Sequence, residues 1–259
     1  MKQNRLSQIL VLGALLSAGG CALTGCATSK TTTPAPKSTQ QATSKETTET
    51  AESRRKQITD IAASSYNGVA LVKTTTDKPG FGTAVFITPD TLLTNRHVVV
   101  PFKNADEAAV QVMGTDGKPI DLPVKELIAP EDDSMDVGII KLKTPITENK
   151  ALNHIKIQKI ASLETVNKTK VADFVRAVGY PGDKERGTLW DSHGTIKEID
   201  GNFLTYDALI ASGSSGSPLF NKDGELIGIA NASTDDTENP TSFGLLFDKT
   251  IRAFIAKHQ

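Results

Sequence analysis

Three short segments of the sequence carry residue types that could act together in nucleophilic catalysis. They are residues 94–99 (TNRHVV), 136–141 (DVGIIK) and 213–218 (GSSGSP), which supply His97, Asp136 and Ser215. A serine hydroxyl attacks poorly until a base removes its proton, and histidine is the side chain most often used for this. An aspartate that accepts a hydrogen bond from the imidazole fixes its tautomer and stabilises the imidazolium. The chain order His, Asp, Ser therefore predicts a catalytic triad.

Each segment also fits an ordinary structural role when it is considered alone. His97 follows an apolar run and could be a hydrogen-bonded core histidine. Asp136 could simply open a strand, and the Gly- and Ser-rich residues 212–217 could form a turn. The neighbouring Asp132 and Asp133 fit solvated loop charge better than catalysis. The conjunction of all three segments in this order favours the catalytic interpretation.

The glycines beside Ser215 predict a second catalytic feature. Glycine tolerates backbone conformations that are closed to other residues, so the chain can turn sharply here. Such a turn would aim the N–H groups of Gly213 and Ser215 at the negative charge that develops on a substrate carbonyl oxygen. We therefore expect an oxyanion hole at Gly213 and Ser215, with Pro218 fixing φ where the next strand begins.

From about residue 68 to its end, the chain resembles the trypsin-like serine proteases, and within them the bacterial glutamyl endopeptidases. The most similar stretches are residues 90–100, 179–184 (GYPGDK), 188–192 (TLWDS) and 211–228. The resemblance implies an all-β, chymotrypsin-like fold of two antiparallel six-stranded β-barrels, with the triad in the cleft between them. His97 and Asp136 would come from the first barrel, and Ser215 from the second. It also implies a serine endopeptidase that hydrolyses peptide bonds through an acyl-enzyme, and we expect no cofactor.

The family pattern around the nucleophile, Gly-x-Ser-Gly-Gly/Ser-Pro, distinguishes between four neighbouring serines. The competing residues are Ser212, Ser214, Ser215 and Ser217. Only Ser215 has a glycine two residues before it, a glycine directly after it and a proline three residues after it. The pattern therefore assigns the nucleophile to Ser215.

The remaining sequence is consistent with two barrels. Its length of 259 residues suits one two-barrel unit with extensions. Short, β-branched apolar segments separated by turn residues predict antiparallel strands at residues 68–73, 82–87, 109–113, 171–178, 226–231 and 243–247. We place the barrels at about residues 66–150 and 151–247, within a protease domain of residues 56–259. Ile251, Phe254 and Ile255 are spaced i, i+3, i+4, which predicts a closing C-terminal helix.

Charge and composition narrow the range of partners. The formal net charge is −1, so nothing indicates a nucleic-acid partner. The histidines outside the triad, His154, His193 and His258, are interpreted as surface residues, and no spacing is typical of metal ligands. We therefore expect no bound metal, a protein or peptide substrate, and a monomer.

The N-terminal segment predicts export and lipid anchoring. Lys2 and Arg5 precede an apolar run at residues 9–16, a pattern typical of a secretory signal and short for a membrane span. Residues 23–26 (LTGC) resemble the lipobox of bacterial lipoproteins, whose cysteine is acylated, for example with palmitate. Cys26 fits this pattern better than Cys21, and an ordinary signal peptide is the alternative. We expect a signal peptide at residues 1–25 and lipidation at Cys26. The protein would then be lipid-anchored in a bacterial cell envelope, facing outside the cytoplasm.

Between this segment and the protease domain, residues 26–55 are predicted to be a flexible tether. They are rich in Thr, Ser, Lys, Glu, Gln and Pro, a composition that buries too little apolar surface to offset ordering entropy. Residues 53–65 are expected to form a short helix leading into the domain. The two cysteines, Cys21 and Cys26, both lie in the export region. The domain therefore has no disulfide, although an exported protein could carry one.

Substrate preference is where the sequence departs from the glutamyl endopeptidases it resembles. That family binds a P1 carboxylate with a histidine on the strand after the nucleophile, a hydroxyl residue five positions before it and a free N-terminal amine. The matching positions here hold Ala230 and Ile210, both apolar, and a lipidated terminus has no free amine. Leu209 and Ile210 also offer no carboxylate for Arg or Lys, although Asn231 could present a polar contact to the pocket. We expect an uncharged, small or medium apolar P1 residue.

Two other functions fit parts of the sequence. One is a quality-control protease like the high-temperature-requirement proteins, which usually carry a C-terminal peptide-binding domain. Only about 40 residues follow Pro218 here, which is too few for such a domain. The other is a catalytically silent surface-binding or adhesion protein on a protease fold. The intact set of three catalytic residue types argues against it.

Overall fold

The computed structural model of the protein describes residues 49–75 and 81–259. The predicted signal peptide, Cys21, Cys26 and most of the predicted tether lie outside these residues. In chain order the strands are β1 (Arg55–Ile58), β2 (Val69–Thr74), β3 (Phe81–Phe86), β4 (Thr91–Thr94), β5 (Ala108–Met113), β6 (Pro119–Ile128), β7 (Gly138–Leu142), β8 (Phe174–Gly179), β9 (Leu189–Asp200), β10 (Phe203–Tyr206), β11 (Pro218–Phe220), β12 (Leu226–Ser233) and β13 (Ser242–Leu246). The α-helices are α1 (Arg96–Val99), α2 (Leu163–Asn167) and α3 (Lys249–His258).

The first barrel contains six antiparallel strands in the order β2-β3-β4-β7-β6-β5, closed by pairing of β5 with β2. Its strands are rich in β-branched and apolar residues that fill the interior, as a small closed barrel requires. Phe86, Leu92 and Ile140 are fully buried there. The expected strands at residues 68–73, 82–87 and 109–113 all lie in this barrel.

The second barrel contains six antiparallel strands in the order β8-β9-β10-β13-β12-β11, closed by pairing of β8 with β11. Its interior holds Ile196, Leu204, Tyr206 and Leu219. The expected all-β fold of two antiparallel six-stranded barrels is confirmed. The strand expected over residues 171–178 begins later, at Phe174, because the chain turns before it and Ala172 adopts a left-handed φ of 69°.

One continuous apolar core joins the two barrels. Leu93 and Ile139 of the first barrel pack in the same buried cluster as Ile229 of the second barrel. The cluster also contains Phe247, which follows β13, and Ile251 of the C-terminal helix. Burying these side chains together stabilises each barrel against the other, because separating them would return large apolar areas to water. The two barrels that carry the catalytic candidates therefore share one buried core.

The C-terminal helix forms as predicted from the spacing of its apolar residues. In α3, Ile251 and Ile255 are buried against the shared core, and Asp248 caps the helix by accepting a hydrogen bond from the N–H of Ile251 at 2.8 Å. No helix in the described part of the chain is both long and apolar enough to cross a membrane.

The segment before the first barrel differs from expectation. Residues 53–65 do not form the predicted helix: a 3₁₀ turn at Glu52–Arg54 leads into β1, and turns follow. The strand forms because β9 offers an unpaired edge in its first half, where Arg55 lies opposite Ser192 and Ile58 opposite Leu189. Although β1 precedes the first barrel in sequence, it is therefore an extra strand of the second.

Candidate active site

His97 lies in the four-residue helix α1, directly after β4 ends. Its main-chain N–H donates to Oδ1 of Asp136 at 2.9 Å, and its ring Nδ1 lies 2.7 Å from Oδ2 of the same carboxylate. One carboxylate thus contacts both the main chain and the imidazole of His97, whose side chain is 48 % exposed. With Nδ1 committed to Asp136, Nε2 is the nitrogen left to exchange a proton with a substrate or nucleophile.

Asp136 lies just before β7, which pairs with β4, so the two strands bring the aspartate to the histidine. Asn95 reinforces this placement, because its side-chain amide donates to the main-chain carbonyl of Asp136 at 2.9 Å. The side chain of Asp136 is 19 % exposed. Sequence reasoning missed Asn95, whose only signal was a polar residue between the apolar run of β4 and His97.

Ser215 lies in a tight loop between the second barrel's β10 and β11. We call residues 212–217 the nucleophile loop, after the role expected of Ser215. Two glycines of the loop adopt conformations that other residues rarely reach, Gly213 with φ of 91° and Gly216 with φ of 85°. A Cβ atom at Gly213 would lie 2.1 Å from the ring of Phe81, and one at Gly216 would lie 2.1 Å from the carbonyl oxygen of Thr83. The glycines that the sequence places around Ser215 are therefore required for this loop to dock on the first barrel.

Asn231, on β12, bridges the nucleophile loop and the aspartate. Its main-chain carbonyl accepts a hydrogen bond from Oγ of Ser215 at 3.2 Å, and its side-chain amide donates to Oδ2 of Asp136 at 2.5 Å. We expected the Asn231 side chain to line the specificity pocket, and instead it is directed to Asp136. Asn231 thus links Ser215 to Asp136, the aspartate that contacts His97, and the sequence did not reveal this link. Among the described residues, no hydrogen bond joins Ser215 directly to His97.

The nucleophile loop presents two amide groups that have no partner inside the protein. Among the described residues, neither the N–H of Gly213 nor that of Ser215 donates a hydrogen bond. The carbonyl of Ser212 is held on the other side, because it accepts a hydrogen bond from the N–H of Gly182 at 2.6 Å. Two unpaired donors beside a nucleophile can together bind a developing oxyanion.

Thr83, on β3, connects this loop to the first barrel. Its main-chain N–H donates to the carbonyl of Ser215 at 2.8 Å, and its hydroxyl donates to the carbonyl of Gly213 at 2.9 Å. The same hydroxyl accepts a hydrogen bond from the N–H of Tyr180 at 3.1 Å. The sequence did not reveal that Thr83 holds this loop, because a threonine within an apolar strand is also typical of any β-branched strand residue.

The apolar residues assigned to the specificity pocket are both buried in the second barrel. Ile210 is 6 % exposed and Ala230 is fully buried, and both belong to the barrel's apolar cluster. Next to them, the hydroxyl of Ser233 donates to the carbonyl of Ile210 at 3.2 Å. The side chains at these two positions offer no charged partner to a substrate.

A charged cluster lies behind the nucleophile loop. Arg55 donates to both carboxylate oxygens of Asp183, at 2.6 and 2.9 Å, and to Glu52 at 3.1 Å. These hydrogen bonds from the Arg55 guanidinium hold the pKa of Asp183 below its usual value. Glu52 also contacts Lys184 at 2.5 Å.

The remaining histidines are not as exposed as expected. His154, His193 and His258 are each half-buried. His193 stacks on the ring of Phe174, and His258 contacts the ring of Phe254 in a tilted arrangement. In the described part of the chain, no group of His, Cys, Asp and Glu side chains is arranged to hold a metal ion.

Comparison with known proteins identifies the family of the chain. Residues 82–229, more than half of the chain, match the family model of the trypsin-like peptidase domain. The chain belongs to the trypsin-like peptidases. The family makes it a serine-protease-type hydrolase of peptide substrates. The protein is also similar to a solved structure of a Glu endopeptidase in complex with MPD, with a TM-score of 0.63 and 21 % identity over 79 % of this chain and 97 % of that chain. At this identity the likeness shows the shared two-barrel fold.

Proposed function

We propose that the protein is a serine endopeptidase that uses Ser215, His97 and Asp136 through an acyl-enzyme. The observation that carries the proposal is the two-point contact of one carboxylate with His97, adjacent to a serine loop with two unpaired amide donors. Either of these two features alone also fits a purely structural role. Together they supply the base, the residue that orients it, the nucleophile and the oxyanion donors that acyl transfer needs.

The reaction begins when the Ser215 hydroxyl moves from the Asn231 carbonyl to Nε2 of His97. Oγ then attacks the scissile carbonyl carbon while Nε2 takes the proton, and Asp136 stabilises the resulting imidazolium. The carbonyl oxygen becomes an oxyanion that accepts hydrogen bonds from the N–H groups of Gly213 and Ser215. Collapse breaks the peptide bond, and His97 gives its proton to the leaving amine. A water molecule, deprotonated by His97, then attacks the ester on Ser215. The bond between the acyl carbon and Oγ breaks, His97 returns the proton to Oγ, and the carboxylic acid product leaves.

Kinetics of the purified full-length protein test this mechanism. Ser215→Ala should lower turnover about 10⁶-fold on a fluorescent casein substrate, as removal of a triad serine does elsewhere. Asp136→Asn should lower it on the order of 10⁴-fold, because the imidazole would then favour the wrong tautomer. Asp133→Asn, an exposed aspartate three residues away, is the matched control. Near-normal peptidase activity in Ser215→Ala would show that Ser215 is not the nucleophile.

The proposed substrate preference follows from the pocket positions. Ile210 and Ala230 present apolar groups where a glutamyl endopeptidase uses a hydroxyl and a histidine. Apolar contact gains roughly 25 cal/mol per Å² of buried surface, whereas an unpaired carboxylate loses several kcal/mol on entering such a site. We therefore propose that an uncharged small or medium apolar P1 residue is preferred over glutamate.

The proposed location rests on the N-terminal sequence alone. Residues 23–26 (LTGC) support lipidation of Cys26 after removal of residues 1–25, and residues 26–55 support a tether. Several acyl chains on Cys26 would anchor the protein durably to a membrane, whereas a single chain binds marginally. The protease domain would then act outside the cytoplasm, at the cell envelope.

A further inference from the structure

Arg55 is an unusual residue for the first position of an edge strand, because its side chain is almost fully buried. Only 1 % of the side chain is exposed. It binds Asp183 through both terminal guanidinium nitrogens, Nη1 and Nη2, which is the geometry in which arginine holds a carboxylate most firmly. The guanidinium also lies 5.7 Å from the ring of Trp190 on β9. Arg55 therefore fixes the position of Asp183 relative to the second barrel.

Asp183 belongs to a turn that touches the nucleophile loop. The residue before it, Gly182, donates its N–H to the carbonyl of Ser212 at 2.6 Å. The contact is close, since a Cβ atom at Gly182 would lie 2.9 Å from the same carbonyl oxygen. A displacement of Asp183 would therefore move Gly182, its neighbour in the chain, and disturb the hydrogen bond that holds the Ser212 carbonyl.

The orientation of the Ser212 carbonyl decides where the next amide points. A trans peptide is planar, and its C=O and N–H point in opposite directions. Because Gly182 holds the Ser212 carbonyl on one side, the N–H of Gly213 faces the other side, away from Gly182. Gly213 adopts φ of 91°, a conformation from which a glycine peptide can rotate more easily than others. Without the hydrogen bond from Gly182, the Gly213 N–H has no interaction of its own that would keep this orientation.

Arg55 also lies directly behind the nucleophile loop. A cavity of about 10 Å³ is lined by Arg55 together with Ile210, Ser214 and Ser217. The two serines flank the nucleophile on either side, so the cationic side chain and the loop share one small buried space. Loss of the arginine side chain would enlarge this space and let the loop move into it.

We propose that Arg55, acting through Asp183 and Gly182, is a positioning residue that keeps the Gly213 N–H turned toward the substrate. The oxyanion hole would then be set by the segment directly preceding the first barrel. This inference rests on the proposed serine endopeptidase function and deepens it. Arg55 itself touches no substrate, so its effect should appear in kcat and much less in KM.

The test compares full-length variants in detergent on the peptide p-nitroanilide that the wild type cleaves fastest in a P1 series. Arg55→Met removes the guanidinium and keeps an unbranched side chain, and Asp183→Asn removes the carboxylate. Loss of an oxyanion donor costs about 10²–10³-fold in kcat, so partial misorientation should cost about 10–100-fold with KM little changed. The double variant should lose no more than the more affected single variant, because both act through one path.

Arg54→Met is the matched control. Arg54 is the preceding residue and ties the same segment to the second barrel through Asp207, at 3.4 Å to its carboxylate and 2.8 Å to its carbonyl. In the described part of the chain, no hydrogen bond or ion pair joins Arg54 to Asp183 or Gly182. Its kcat should equal that of the wild type, which would separate positioning of the oxyanion hole from general attachment of the segment.

A second readout reports the oxyanion hole directly. A peptide aldehyde with the same sequence forms a hemiacetal on the nucleophile, so its affinity depends on the oxyanion donors. Arg55→Met should weaken the aldehyde by the same factor as kcat and leave binding of the matching peptide alcohol unchanged, because the alcohol forms no oxyanion. If Arg55→Met does not fold, Arg55→Lys replaces it, since lysine keeps the charge but cannot make the bidentate contact.

The outcomes separate the inference from the proposed function. An active wild type with an unchanged kcat in Arg55→Met overturns the positioning role and leaves the peptidase mechanism intact. Parallel changes in kcat and KM with a matching fall in thermal stability would also overturn it, by showing general destabilisation. A wild type that cleaves no peptide and binds no aldehyde would contradict the proposed function, and the inference with it.

Discussion

The side-chain nitrogen of Asn231 lies 2.5 Å from Oδ2 of Asp136, the same oxygen that lies 2.7 Å from Nδ1 of His97. Oδ1 of Asp136 is occupied by the main-chain N–H of His97. Three donors on two oxygens fix the rotation of the carboxylate. The Asn231 carbonyl meanwhile accepts the hydroxyl of Ser215, so one residue contacts both the aspartate and the serine.

Asn231→Ala should therefore lower kcat by about 10–100-fold, because a hydrogen bond to a charged group contributes about 1.5–3 kcal/mol. The main-chain carbonyl that contacts Ser215 remains, so the serine should still react with a fluorophosphonate, only more slowly. Steady-state kinetics on casein and on a peptide substrate measure the effect. Asn239→Ala, an exposed asparagine beyond the end of the same strand, is the control. Equal kcat in the two variants would show that the contact with Asp136 contributes nothing to turnover.

Peptide-library profiling tests the substrate preference. Ile210 and Ala230 should give an apolar P1 preference, with Ala, Val or Leu ahead of Glu, because the pocket offers a carboxylate no partner. Ile210→Thr with Ala230→His should raise the ratio of Glu to apolar cleavage, and Ile210→Val should leave it unchanged. Because Ala230 is fully buried, Ile210→Thr alone is the fallback if the double variant is unstable. A wild-type profile dominated by Glu at P1 would show that another group supplies the positive charge.

Asp183 should make stability depend on pH at the acid end. Hydrogen bonds from Arg55 lower the pKa of Asp183 in the folded protein. The stabilisation is therefore fully present above the unfolded-state pKa of about 4 and is lost as pH falls through the lower folded value. The Tm of the wild type should exceed that of Asp183→Asn most near neutral pH, and the difference should shrink as pH falls below about 4.

The same comparison in an Arg55→Met background controls for other carboxylates. Without the guanidinium, Asp183 loses the donors that lower its pKa most, while the charge of Lys184 and a backbone hydrogen bond still lower it, so the effect of Asp183→Asn should depend less on pH. Glu52 also forms an ion pair with Arg55 and contacts Lys184. Because Glu52 is present with and without Asp183→Asn in each background, its own titration affects both proteins of a comparison equally. A pH-independent difference in the wild-type background would contradict the linkage.

Lipid anchoring is tested by mass spectrometry of the mature N-terminus. Cys26→Ser should leave the protein unprocessed or soluble, because the lipobox cysteine both accepts the lipid and defines the cleavage site. Cys21→Ser, five residues away, should change neither processing nor membrane association. An unmodified mature N-terminus at another position would contradict lipid anchoring at Cys26.

Much of the fold was predictable because its signals are local. Strands β2, β3, β5 and β12 are short, β-branched and bounded by turns, and α3 has helical spacing of apolar residues. Two long strands escaped prediction for physical reasons. β6 contains two prolines and three exposed charged residues, and β9 ends in a segment with the exposed charged residues Lys197, Glu198 and Asp200. Their conformation is set by pairing with neighbouring strands, which the local sequence does not encode.

The candidate site was predictable to a similar extent. The expected contact between His97 and Asp136 is present, and Ser215 lies in a glycine-supported turn. Asn95, Thr83 and Asn231 were missed or placed elsewhere, because their side chains bond to partners 41 or more residues away in the chain. The strand at Arg55 was missed because the edge of β9 induces it. Long-range hydrogen bonds of this kind leave no periodic signal in a single sequence.

Labelling with a fluorophosphonate probe is the most direct test of the central claim, because the probe forms a covalent bond only with an activated serine. The account predicts that the wild type is labelled and that peptide mapping by mass spectrometry places the adduct on Ser215. Ser215→Ala should abolish labelling, Asp136→Asn should slow it strongly, and Ser212→Ala should retain it. An unlabelled but folded wild type would contradict the account and favour a catalytically silent binding protein. An adduct on Ser212, Ser214 or Ser217 would show that the nucleophile was misassigned.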